Sequence, residues 1–104
     1  MEEFKVIINE TAKKDLFSIL FYISGILKEP AIAKRIYLSI KEQLLSLDRM
    51  PYRYAVVNEE PYMQMGIRKI PVENYTAFYF VDDETKTVYV FRILYDRREW
   101  KNLL

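Results

Sequence analysis

Between residues 10 and 50 the apolar side chains recur at three-to-four spacing, and from 62 to 95 they sit in β-rich runs that alternate with polar ones. This change of period constrains the fold more than any other feature, because a helical stripe and a pleated face each have one apolar side to bury. In 104 residues they have only each other to bury it against.

The helical half reads as two elements. Asn9 or Thr11 is placed to cap the first, and Ala12, Leu16, Ile19, Leu20, Ile23 and Leu27 then fall on one stripe. Gly25 and the Glu29-Pro30 step end it. Pro30 suits the opening of a second helix, where a missing N–H costs nothing. Ala33, Ile36, Tyr37, Ile40, Leu44 and Leu47 form the second inner stripe, which Pro51 stops. So short a joint makes an antiparallel helical hairpin.

Ahead of it, FKVIIN (4–9) is short, β-branched and alternating, which predicts a strand. Residues 51–61 are broken by prolines and acids and read as a loop. YMQMGIRKI (62–70), YTAFYFVD (75–82) and TVYVFRILY (87–95) read as three further strands, the last two an antiparallel hairpin. The expected order is therefore β-α-α-β-β-β with a short tail after Asp96. The fold class is α+β: a single domain, 1–104, with the helical hairpin on one face of a mainly antiparallel sheet and the other face open.

Composition narrows the chemistry. The chain has no Cys and no His, so thiol nucleophiles, disulfides, imidazole bases and the usual zinc or haem ligands are excluded. No cofactor, metal or small-molecule substrate is called for. A hydrophobic fraction of 51%, with 9 Tyr and 6 Phe, can fill a core and leave apolar surface for a partner. The opening MEEFKVII lacks the order of a secretory signal, and the apolar run 16–27 is too short and too interrupted to span a bilayer. The expectation is a soluble cytoplasmic protein with no membrane partner.

A net charge of +1 gives no global attraction to polyanions, so any such binding needs a local patch. RILYDRREW (92–100) offers one, with Arg92 inside the last strand and Arg97, Arg98 and Lys101 just beyond it. Arg68 and Lys69 precede Pro71 in an earlier strand. Guanidinium groups grip carboxylate and phosphate in fixed geometry, which makes Arg68, Arg92, Tyr95, Arg97 and Arg98 the candidate target-binding residues at the end of an open sheet. The plainer alternatives are a solvated tail paired with Asp96 or Glu99, and an edge lysine that only deters aggregation. Tyr75, Tyr79, Tyr89 and Tyr95 suit base stacking, but such aromatics are more often strand packing. Glu59 and Glu60 are better read as loop solvation than as a general base, and Met63 and Met65 as packing.

Two motifs carry a family resemblance. IRKIPVENYTAFYFV (67–81) resembles the part of the RelE/ParE toxin superfamily in which a basic strand, a Pro-Val turn and a tyrosine precede an aromatic strand. RILYDRREW resembles the end of the same proteins, and length and element order agree over roughly residues 4–100. The resemblance implies a toxin of a type II toxin-antitoxin pair, silenced by a cognate antitoxin that lays an amphipathic segment over it. RelE-like members cut messenger RNA in the ribosome with lysines and arginines on the sheet, whereas ParE-like members poison DNA gyrase. Fold does not separate the two.

Residue by residue, Lys69 and Arg98 match catalytic positions of the RelE type and Tyr75 a neighbouring tyrosine. Thr76 stands where that type carries a phosphate-binding arginine, and Leu104 near its late tyrosine. Ile70-Pro71-Val72 and the Arg97-Arg98-acid ending are closer to ParE, although Tyr95-Asp96 replaces the common His-Gly pair. The expectation is gyrase inhibition; the alternatives are a ribosome-dependent messenger RNA endonuclease and a non-toxic α+β interaction module.

Overall fold

The computed structural model describes residues 3–96 and 104. Strand β1 (Lys5–Ile8) leads into helix α1 (Glu10–Phe21), whose first turn is capped by the Asn9 side chain accepting the Ala12 N–H at 3.0 Å. Beyond Phe21 the helix widens into one π turn, Tyr22–Ile26, in which the Leu27 N–H donates five residues back to the Tyr22 carbonyl. Helix α2 (Pro30–Leu45) opens on Pro30 and continues into a short 3-10 turn, Ser46–Asp48. Strands β2 (Arg68–Val72), β3 (Tyr75–Asp82) and β4 (Thr87–Tyr95) complete a four-stranded sheet of order β1-β4-β3-β2. Only β1 runs parallel to its neighbour, so the sheet is mainly antiparallel as expected.

The main core lies between the hairpin and the sheet. Ala12 and Ile23 of the first helical segment and Ala33, Ile36, Ile40 and Leu44 of α2 close on Ile70, Ala77, Tyr79, Val88, Val90 and Ile93. Two stripe residues depart from expectation: Leu27 and Tyr37 are exposed. Leu27 follows the π turn, whose extra residue rotates everything after it off the core-facing stripe. The Tyr37 ring instead lies under the Lys41 ammonium at 5.9 Å.

Two further expectations are corrected. The run 62–66 is not strand: Met63 N–H donates to Glu59 O at 2.8 Å and Gly66 N–H to Met63 O at 3.1 Å, so the chain coils there and leaves through Gly66 at φ +72°. Conversely, Pro71 and Val72 belong to β2 rather than to the connection after it. A sheet edge tolerates a proline, since an N–H pointing outward has no ladder partner to lose. The turn that follows is only Glu73-Asn74, with Glu73 at φ +56°.

Nor is the second sheet face open throughout. The segment between Tyr54 and Ile67 folds back over it, held by the Val57 N–H on Ile67 O at 2.8 Å. Val57 and Ile67 pack on Phe78 and Leu94 as a second buried cluster, with Tyr62, Phe91 and Leu104 at its margin. Phe80 and Tyr89, stacked at 5.2 Å, lie on the part this segment leaves uncovered.

Candidate functional site

A β-bulge sets the geometry at the end of β4. Phe78 pairs with Arg92 but Tyr79 pairs with Val90, so Phe91 is an extra residue on β4. This is why Val90 and Ile93, three apart, both reach the main core, while Leu94 joins the second cluster. Strict alternation would have placed Ile93 outside.

The same stretch is where β1 runs out, since its last pair is Ile8 with Val90 and the chain then turns into α1. Asp15 of α1 takes over along the exposed edge of β4. Its carboxylate accepts the Ile93 N–H at 3.0 Å, Arg92 Nε at 2.8 Å and Arg92 Nη2 at 3.1 Å. With side chains 22% and 15% exposed, Arg92 and Asp15 form a two-pronged, largely desolvated ion pair.

Above this pair lies a cleft of about 770 Å³ between α1 with its π turn and the ends of β3 and β4. Ile19, Ile23 and Ile93 make its apolar wall, and Tyr22, Tyr75 and Tyr95 its rim. The Tyr75 and Tyr95 rings meet edge to face at 5.7 Å. Burial raises the Tyr75 pKa, helped by the Tyr95 and Tyr22 phenols nearby. The π turn aims Tyr22, Ile23 and Leu27 into this space. Rare i→i+5 turns of this kind recur at functional sites.

The pattern of the family described as the ParE toxin of the type II toxin-antitoxin system, parDE, matches residues 6–100. The chain belongs to that family. Among solved structures, the toxin is similar to one from a chromosomal ParDE toxin-antitoxin system of P. aeruginosa, at 23% identity and a TM-score of 0.71 over 89% of this chain and 96% of that one. It is also similar to a chain of the RelBE2 toxin-antitoxin complex of Mycobacterium tuberculosis, at 23% identity and 0.64 over 89% and 98%. The isolated RelE toxin of E. coli follows at 19% identity and 0.59 over 97% and 99%. At these identities the likeness is one of fold. A search of curated protein sequences finds no match.

Within the toxin, the residues singled out from sequence do not come together. Arg92 and Tyr95 line the cleft beside α1. Lys69 points from β2 to the opposite sheet face, exposed, into a shallow pocket of about 500 Å³ with Tyr54, Ala55, Pro71, Thr76 and Asp96. There Thr76 Oγ1 donates to Asp96 Oδ1 at 2.5 Å. Arg68 turns toward the 51–54 segment, donating to Tyr52 O at 3.1 Å and Tyr54 O at 2.6 Å with its guanidinium over the Tyr52 ring at 5.1 Å. Arg97 and Arg98 lie outside the described residues.

Sequence reasoning missed Asp15 and Tyr22. Asp15 sits 77 residues before the arginine it holds, and nothing local marks it. A sign was present for Tyr22: it precedes a glycine by three in a helix otherwise rich in large residues, a weak point at which an extra residue can be accommodated.

Proposed function

We propose that the toxin inhibits DNA gyrase, as ParE-like proteins do, that it acts in the cytoplasm, and that a cognate antitoxin protein keeps it silent until release. Family membership supports the toxin half of this reading. The antitoxin half is supported by the company its fold keeps, since the similar P. aeruginosa chain comes from a ParDE toxin-antitoxin system.

The observation that favours gyrase over messenger RNA is the separation of the cationic residues. Cleaving RNA needs a base for the ribose 2′-OH, a cation on the phosphate and an acid for the leaving oxygen, all within hydrogen-bond reach of one phosphate. Here Lys69 and Arg92 stand two strands apart on either side of Phe78, Arg92 is engaged by Asp15 of α1, and Thr76 occupies the phosphate-arginine position with its hydroxyl bound to Asp96. A tyrosine-rimmed cleft with apolar walls suits a protein surface better than a phosphodiester.

The deciding experiment sets purified toxin in a gyrase supercoiling assay beside its effect on messages in a translating extract. Blocked supercoiling with intact messages is the expected result. Discrete cuts in translated messages, lost in Lys69→Ala, with supercoiling untouched, would assign the endonuclease activity instead.

A further inference from the structure

Strand β4 runs on past the end of its neighbour. β1 pairs with it as far as Val90, where the Asn9 N–H donates to Val90 O at 3.0 Å and the chain leaves for α1, whereas β4 continues to Tyr95. Two hydrogen bonds fix the direction of its backbone groups beyond the bulge. The Asp96 N–H donates to Asn74 O at 2.9 Å, on the β3 side, and the Ile93 N–H donates to Asp15 Oδ2 at 3.0 Å, on the side away from β3. Backbone groups alternate from side to side along a strand, so the Ile93 carbonyl and the Tyr95 N–H also point away from β3.

Asp15 satisfies only the Ile93 N–H; among the described residues none accepts from the Tyr95 N–H or donates to the Ile93 carbonyl. Both open groups belong to the stretch of β4 that lines the cleft. An acceptor and a donor two residues apart on one strand edge are what parallel pairing requires. One residue of an added strand gives its N–H to the first and takes the second on its own carbonyl. β1 pairs with β4 in this parallel sense a few residues earlier.

Side chains narrow the choice of segment. The bonding residue would lie beside Leu94, whose side chain packs in the second cluster. The residues before and after it then lie beside Ile93 and Tyr95 and point to the α1 side. There the first meets Ile19, Ile23 and Ile93, and the second meets Tyr22, Tyr75 and Tyr95. An aliphatic and an aromatic side chain two residues apart suit these places. A helix bonds its own backbone and cannot serve the two open groups.

We propose that the cleft receives an extended segment of the toxin's target protein, added to the sheet as a short strand parallel to β4 at residues 93–95. The bulge, the early end of β1 and the Asp15 carboxylate together leave one place for it, and main-chain bonds with two alternate side-chain pockets hold it there. The mode of binding stands on backbone geometry; that the segment belongs to gyrase rests on the function proposed above.

The test uses the full chain and a capped peptide, Thr-Thr-Ile-Thr-Phe-Thr-Lys. Expected are saturable amide shifts in NMR at Ile19, Ile23 and residues 93–95, and slower hydrogen exchange of the Tyr95 N–H with no change at Asp96, which is already bonded to Asn74. N-methylation of the Thr between Ile and Phe removes the donor to Ile93 O and should weaken binding about tenfold or more, whereas N-methylation of the Phe, whose N–H points away from β4, should leave it within about threefold. Ser18→Trp, at an exposed position on the α1 side of the cleft, should exclude the peptide and keep the wild-type melting temperature. The strand mode fails if the two methylated peptides bind alike, if Tyr95 exchange does not slow, if Ser18→Trp binds as wild type, or if shifts map outside the cleft. It fails equally if a dimer of the free chain already protects the Tyr95 N–H. Saturating peptide should also relieve the inhibition of supercoiling; binding of the expected pattern without relief would overturn gyrase as the owner of the segment, and that alone.

Discussion

The Asp15 carboxylate does for β4 what a neighbouring strand would have done: it accepts the Ile93 N–H at 3.0 Å and, in the same grip, Arg92 Nε at 2.8 Å. Helix α1 is thereby pinned to the bulged end of the sheet, and the floor of the cleft is fixed. Replacing Asp15 by Ala removes the acceptor from both groups and leaves a largely desolvated guanidinium without that carboxylate. The expected cost is about 3 kcal/mol. Arg92→Met in the same background should recover part of it. A urea double-mutant cycle measures this, and additive losses would mean that the pair contributes nothing of its own.

Tyr79 is fully buried in the main core and donates its hydroxyl to Pro51 O at 2.7 Å. Tyr79→Phe leaves that carbonyl without its donor, for an expected loss of about 1 kcal/mol. Burial pushes the Tyr79 phenol up to about 12 from an ordinary 10.0. A raised folded pKa gives stability that is complete below the unfolded value and lost as pH climbs through the folded one. The wild-type denaturation midpoint should therefore fall between about pH 10 and 12, and in Tyr79→Phe that part of the fall should be missing.

Much of this architecture is written locally. Residues 75–82 and 87–95 have a high β-propensity, and the strands begin and end where those runs do. The inner stripe of α2 is equally plain. What alternation could not reveal were events that change the period without changing composition. The bulge at Phe91 moves Ile93 inward, the π turn moves Leu27 out, and Met63 and Met65 alternate within a coil. Pro71 is strand only because β2 is an edge, and that is a property of the whole sheet. For the candidate site, Arg92 and Tyr95 were legible as residues of interest, but the role of Arg92 depends on Asp15, which only the folded chain brings to it.

The Glu73 side chain ties the β2-β3 turn to α2, accepting from Arg35 Nη1 at 2.7 Å and from Ser39 Oγ at 3.3 Å. The Arg35 hydrogen bond holds its carboxyl below its ordinary value of 4.5. A depressed folded pKa gives stability present above the unfolded value and lost as pH falls through the folded one. Acid titration of the melting temperature should show a component below about pH 4.5 that disappears in Glu73→Gln and shrinks with salt, as expected of an exposed pair. An unchanged acid profile in that variant would mean that the turn is held by its backbone alone.

Leu44 is fully buried between α2 and the sheet. Leu44→Ala should cost roughly 2–5 kcal/mol, depending on how far the hairpin can settle into the space left. A denaturation midpoint equal to wild type would contradict the placement of α2.

The last prediction separates the two faces of the toxin by function. Tyr95 stands on the rim of the cleft, 41% exposed, with its ring against Tyr75. Half-exposed aromatics at the mouth of an apolar cleft are the side chains whose truncation weakens protein binding most, by about 2 kcal/mol or some 30-fold. Tyr95→Ala should therefore raise by that factor the concentration needed to inhibit supercoiling, with little change in melting temperature. Lys69→Ala, altered on the opposite face, should inhibit as well as the parent protein. If Lys69→Ala loses growth arrest on induction in a bacterial host and Tyr95→Ala retains it, the working surface is the pocket of Lys69, Thr76 and Asp96, and the cleft is not where the toxin meets its target.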